Sequence, residues 1–268
     1  FKESGARYAV LTTKHHDGVC LWDTDTTTHN VVDETPAGRD LLAPYAKAIH
    51  DAGLKLGFYY SLIDWSRPDY RSVYRTDVKP EDYAKQNPFE TPAGGPVDPA
   101  AWQRHLDFKR AQITELMTRY APVDLLWFDG DWERTAEQWK MPEFREFLHE
   151  LNPHVVLNSR MQGYGDYATP EQGIPVYAPD GPWEFCTTIN SSWGYQHRDQ
   201  NWKSSREIQR LFCDCITLGG NMLLDVGPKE DGTIPEEEVQ VLKDLGRWIK
   251  AHEEAIYPTG KGIGYEYF

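Results

Sequence analysis

The stretch VDLLWFDGDWE (123–133) gathers the residue types most able to do chemistry. An apolar run ends in Trp127, and Asp129 follows, ahead of Gly130, Asp131 and Glu133. Displacement at a sugar's anomeric carbon asks for a carboxylate fixed at the carboxyl end of a strand, and the flat face of Trp127 lies beside this one. Asp131 and Glu133 read as solvated acids of an Asp-Gly turn. A double displacement needs a second carboxyl about 5–5.5 Å from the first, able to protonate the leaving oxygen. Glu171, in the turn-rich loop GDYATPEQG (165–173), could reach a leaving group above the sheet. Glu184 stands between Trp183 and Phe185 in WEFCTTINSSWGY (183–195), where an apolar setting would raise its pKa toward neutrality. The residues alone leave this choice open.

Other strand ends carry polar or aromatic groups. TTKHHDG (12–18) places His15 and His16 side by side, with Trp22 soon after. Adjacent imidazoles can offer several ring nitrogens to sugar hydroxyls. A metal site would need further ligands at fitting spacing, and no HExxH pattern is present, so no metal is expected. Arg160 ends HVVLNSR and can hold a carboxylate or a pair of hydroxyls. Tyr59 in LGFYYSLIDW and Trp193 in SSWGY could present ring faces to a sugar. Each of these alone reads as packing; together they all stand at strand ends.

The elements that must position them are legible as apolar runs: YAVLTT (8–13), LGFYYSLI (56–63), VDLLWF (123–128), HVVLNS (154–159), WEFCTTI (183–189) and NMLLDV (221–226). Near-continuous hydrophobicity suits strands buried on both faces of a parallel sheet. Helical spacing occupies 39–52, 100–120, 136–151, 204–217 and 235–252, the last opening with Pro235 and three glutamates. Alternating strands and helices predict an α/β fold. No GxGxxG follows a strand, so a (β/α)8-like TIM barrel is preferred over a dinucleotide-binding sheet. Such a barrel needs eight strands, so it is expected to be irregular or incomplete, as one domain over 1–268. The segment 64–99 is expected to be a long loop on the active-site side.

Composition narrows the partners. A formal charge of −14 repels phosphate backbones and anionic lipid, so neither nucleic acid nor membrane is expected and a neutral substrate is. The 10 Trp and 15 Tyr suit both a large core and a sugar face. Cys20, Cys186, Cys213 and Cys215 show no CxxC spacing and read as small hydrophobes. FKESGARYAV has neither the basic start nor the apolar stretch of a signal peptide, and the natural beginning is expected to lie upstream. The compartment is left open among extracellular, periplasmic and lysosomal settings, as is the oligomeric state.

These segments resemble the α-L-fucosidases of glycoside hydrolase family 29. TTKHHDG with its LWDT, LGFYYSL, LLWFDGDWE, TPEQ, WEFCTTINSSWGY and GGNMLLDVGP come in the family's order and span nearly the whole chain. The resemblance implies a retaining exo-glycosidase without cofactor, cleaving terminal α-L-fucosyl linkages of a glycan, with Asp129 as nucleophile. It implies His15, His16, Tyr59, Trp127, Arg160 and Trp193 around fucose, and Glu171 as acid/base with Glu184 the close alternative. WE…SWGY followed by GGNxLL resembles the broad-substrate branch. The family's early FxHWG-like strand and its C-terminal β-sandwich have no counterpart here, which leaves a catalytically impaired carbohydrate-binding barrel as the alternative.

Overall fold

The computed structural model describes residues 1–70 and 98–257. Most of the loop expected over 64–99, residues 71–97, lies outside them. The chain divides into two compact units, one over Tyr8–Asp166 and one joining Phe1–Arg7 to the chain from Tyr167 onward. None of the described helices is long and apolar enough to cross a membrane.

The Tyr8–Asp166 unit alternates strand and helix: β1 (Tyr8–Lys14), α1 (Leu42–Asp51), β2 (Lys55–Ser61), α2 (Pro99–Arg119), β3 (Leu125–Asp129), α3 (Met141–Leu151) and β4 (Val156–Leu157). The strands form one parallel sheet in the order β1-β2-β3-β4. Parallel pairing puts partnered residues on the same face. Gly57, Tyr59 and Ser61 therefore share one face with Leu125, Trp127 and Asp129. Phe58 and Tyr60 share the other with Leu126 and Phe128, in a core with Leu42, Ala46 and Ile49 of α1 and Ile113 and Leu116 of α2. Burying one such Leu or Phe is worth about 1.5–3 kcal/mol.

Local signals set the helix ends. Asp98 caps α2 by accepting from the Ala100 amide, and Pro99 takes a first-turn position where no N–H is missed. The single helix expected over 136–151 is two, Ala136–Trp139 and α3. Lys140 between them adopts φ 53°, and Pro142 follows. A proline ring clashes with the carbonyl four residues back and donates no hydrogen bond, so it starts a helix more readily than it continues one.

The second unit holds β5 (Glu184–Thr188), α4 (Ser205–Thr217), β6 (Asn221–Asp225) and α5 (Glu236–Ala251). β5 and β6 pair in parallel. Ser204 and Glu207 form a reciprocal cap on α4. Ile189, Ile208, Val241, Leu245 and Ile249 make its core, with Trp183, Phe185 and Cys215 in a second cluster. All four cysteines are free. The architecture is thus α/β with every described strand pair parallel, and all six expected strands are present.

Candidate active site

Asp129 is the last residue of β3, and its side chain is 11% exposed. Both oxygens are held from neighbouring elements. The Tyr59 hydroxyl donates to Oδ2 at 2.7 Å, and Nη1 of Arg160 donates to Oδ1 at 2.7 Å. Tyr59 is where β2 pairs with Trp127, so its hydroxyl reaches along the shared face to the next inward residue. Burial, with the Asp129 charge beside it, pushes the Tyr59 phenol well above its ordinary range and keeps it a neutral donor. Gly130 turns the chain away at φ 81°, where a Cβ would stand 2.6 Å from Cγ1 of Ile63. Only glycine meets both conditions without a shift.

A row of flat groups runs beside the carboxylate. His15 stacks on Tyr59 with centroids 5.6 Å apart, Tyr59 stacks on Trp127 at 5.5 Å, and the Arg160 guanidinium lies 4.7 Å from the Trp127 centroid. The row follows from the sheet, because each group comes from the next strand or its exit. A bulge between Thr12 and Lys14 ends the regular β1 register just before the histidines.

His16 has a defined proton arrangement. Its Nδ1 lies 2.6 Å from the Ser61 hydroxyl, which also lies 2.9 Å from the Ile63 carbonyl. A carbonyl only accepts, so the Ser61 hydrogen goes to Ile63 and Nδ1 of His16 is the donor. Burial, then the neighbouring His15, lowers the His16 pKa to about 4, so the ring is neutral near pH 7. Its Nε2 then carries a lone pair, 3.7 Å from Oδ2 of Asp129. Burial also lowers the His15 pKa, with Asp129 and Asp17 opposing it. The site offers acceptors, one carboxylate and ring faces, which is what a polyhydroxylated ligand with an apolar side requires.

His15, His16 and Asp129 also bring potential metal-ligating atoms within 4.8 Å of one another. The donor set does not fit a cation. The Arg160 guanidinium already occupies Oδ1, and a divalent ion there would face its positive charge.

The expected residues fall into three groups. His15, His16, Tyr59, Trp127, Asp129 and Arg160 come together as described. Trp22 does not join them. It is 0% exposed, and its indole N–H donates to Oε2 of Glu115 at 2.8 Å on α2, so it ties the β1 exit to a helix and offers no face to a sugar. Glu171, Glu184 and Trp193 belong to the second unit. There Glu171 is exposed and bridges to Cys186 of β5. Glu184 heads β5 and is 3% exposed, so it occupies the amino end of a strand and not its exit. In parallel sheets of this kind chemistry gathers at carboxyl ends. Trp193 is 45% exposed in the loop after β5, a loop that Asp199 holds by accepting from the Ser191 amide and the Ser192 hydroxyl.

Sequence reasoning missed Ser61, Asn158 and Asp131. Ser61 could have been found by counting two residues on from Tyr59. Asn158 continues where β4 stops: its Oδ1 accepts from the Phe128 amide at 2.8 Å and its Nδ2 donates to the Phe128 carbonyl at 2.9 Å. Asp131 is not a solvated turn acid but buried, and burial raises its pKa against the opposing bond from the Gln162 amide. Glu133 is buried too, its Oε2 accepting from the Tyr70 hydroxyl at 2.6 Å.

Known proteins bear on this geometry. An alpha-L-fucosidase from Dictyostelium discoideum is 31% identical over 96% of this chain and 54% of its own length. Isoenzyme 1 of the alpha-L-fucosidase from Paenibacillus thiaminolyticus superposes with a TM-score of 0.86 at 38% identity, over 98% of this chain and 64% of that one. A family 29 alpha-L-fucosidase from Bacteroides thetaiotaomicron, trapped as a covalent intermediate with 2-fluoro-fucosyl fluoride, superposes at 0.81 with 31% identity, over 97% of this chain and 61% of that one. The chain thus spans about half the length of the curated relative. The family model described as alpha-L-fucosidase matches residues 1–254, and the chain belongs to that family, glycoside hydrolase family 29.

Proposed function

We propose that the chain forms the catalytic part of a retaining exo-α-L-fucosidase acting on fucosylated glycans, built as a (β/α)8 barrel. The observation that carries this is the Asp129 carboxylate, held on one oxygen by Tyr59 and on the other by Arg160 at the exit of β3. In the first step an Asp129 oxygen bonds to the anomeric carbon as the glycosidic C–O bond breaks. Glu171, exposed in its loop, gives a proton to the departing oxygen. Water then attacks the fucosyl ester, Glu171 takes its proton, and Asp129 leaves as a carboxylate. Tyr59 and Arg160 hold one carboxylate oxygen each, which keeps Asp129 aimed through both steps.

His15, His16, Tyr59, Trp127, Arg160 and Trp193 are assigned to the bound sugar. The His16 Nε2 lone pair accepts from a hydroxyl, and the Tyr59–Trp127 faces suit an apolar edge such as a methyl group. Glu171 is preferred to Glu184 as the acid/base because Glu184 is enclosed at the head of β5. No step requires a cofactor. The trapped covalent intermediate of the Bacteroides relative supports retention and gives no support to binding without turnover.

The test is Asp129→Ala with an aryl α-L-fucoside. Turnover is expected to vanish while fucose binding, followed by calorimetry, persists. Turnover near that of the parent would remove Asp129 from the reaction.

A further inference from the structure

We infer that Asp131 is a positioning residue which, through Gln162, holds Arg160 against the nucleophile. The inference rests on the role proposed above for Asp129.

The ladder between β3 and β4 is short. It pairs Leu125 with Val156 and Leu126 with Leu157. Arg160 lies three residues past that point, yet its guanidinium must meet Asp129 at 2.7 Å while lying over Trp127. An arginine side chain has many rotamers, so such a pose requires a backbone held in place. Two side-chain clamps take over where the ladder stops. On the near side, Asn158 makes its pair of bonds to the Phe128 backbone. On the far side, Oδ2 of Asp131 accepts from the Gln162 amide at 2.9 Å and from Gln162 Nε2 at 3.2 Å. Nε2 of Gln162 also donates to the Asp131 carbonyl at 3.0 Å.

Arg160 is therefore suspended between two clamps, each anchored next to Asp129, one on Phe128 and one on Asp131. The far clamp does backbone work as well. Gln162 adopts φ 51°, a left-handed conformation that costs a side-chain-bearing residue energy and persists only where surrounding bonds require it. Asp131 is itself fixed, because its carbonyl accepts from the indole N–H of Trp139, a fully buried residue. The nucleophile and the arginine that steadies it thus share one support.

A double-mutant cycle on full-length protein tests this. Asp131→Ala is expected to lower kcat on an aryl α-L-fucoside by roughly tenfold to a hundredfold, the effect of about 1 Å of misplacement, with KM changed less. Asp131→Asn keeps an acceptor for the Gln162 amide and is expected to restore most of the rate. In an Arg160→Ala background the added Asp131→Ala is expected to cost less than about twofold, because residues acting as one unit are not additive. Equal losses in both backgrounds would overturn the inference, as would unchanged kcat in folded Asp131→Ala. Should Asp131→Ala fail to fold, Gln162→Ala enters the same cycle with the same expectations. Asp129→Ala separates the two readings. Its inactivity beside an additive cycle defeats only the Asp131 inference, whereas its full activity defeats the site itself.

Discussion

The Ser61 hydroxyl accepts a hydrogen bond from Nδ1 of His16 and passes its own hydrogen to the Ile63 carbonyl, the two contacts being 2.6 and 2.9 Å. This relay makes His16 an acceptor at Nε2 and not a second donor toward Asp129. In Ser61→Ala the ring is free to protonate Nε2 and donate to Oδ2 of Asp129. A lost hydrogen bond of about 1 kcal/mol corresponds to roughly a fivefold lower kcat/KM on an aryl fucoside. Nitrogen-15 NMR of labelled His16 checks the cause. Unchanged tautomer populations in Ser61→Ala would place the lock elsewhere.

Chemical rescue distinguishes the two glutamates. Glu171→Ala is expected to lose turnover most with a poor leaving group, and added azide to restore it as α-fucosyl azide. The azide attacks the covalent intermediate from the side the leaving group vacated, so the configuration is retained. Glu184→Ala is expected to show no rescue. The reverse pattern would move the acid/base role to Glu184.

Acid sensitivity follows from buried histidines. Burial, with Lys14 nearby, lowers the His105 pKa to about 3, against about 6.5 in an unfolded chain. Between these values the unfolded chain binds a proton that the folded chain refuses, so stability falls as pH drops from 6.5 toward 3. His16, at about 4, acts in the same direction. Thermal melts between pH 7 and 4 are expected to show His105→Phe losing less stability on acidification than the parent. Parallel curves would refute the assignment.

Lys14 and Asp64 form an ion pair at 3.0 Å with both side chains almost wholly enclosed. Burial opposes the charge on each, and the partner more than offsets it: Lys14 is raised and Asp64 lowered, the latter also by the Ser66 hydroxyl. Asp64→Ala leaves an uncompensated buried ammonium and is expected to cost about 3–5 kcal/mol in urea unfolding. Lys14→Met with Asp64→Leu removes both charges and is expected to recover most of that loss. If the double variant is no more stable than Asp64→Ala, an unpaired buried ammonium is not the source of the loss.

How much of this was legible beforehand depended on the range of the signal. The six strands could be read because burial on both faces writes continuous apolar runs into the chain, as in LLWF before Asp129. Asp129, His15, His16, Tyr59 and Arg160 could be singled out as candidates because strand exits are marked locally. The break at Lys140 was missed, since a proline two residues into a helix resembles one that interrupts it. Trp22 was misread because an indole after a strand is equally suited to a sugar and to a buried glutamate, and only Glu115, 93 residues away, decides between them.

The sequence by itself determined the order of strands and helices, the family, and which acids and rings stand at strand exits, because these depend on neighbours along the chain. Only the tertiary structure decided which oxygen of Asp129 meets Tyr59 and which meets Arg160, and which nitrogen of His16 carries the proton. It also decided that Asp131 is buried and not solvated. Those outcomes depend on register between strands and on contacts dozens of residues apart, and a register shift of one residue in β2 would turn Tyr59 away from Asp129 to the opposite face.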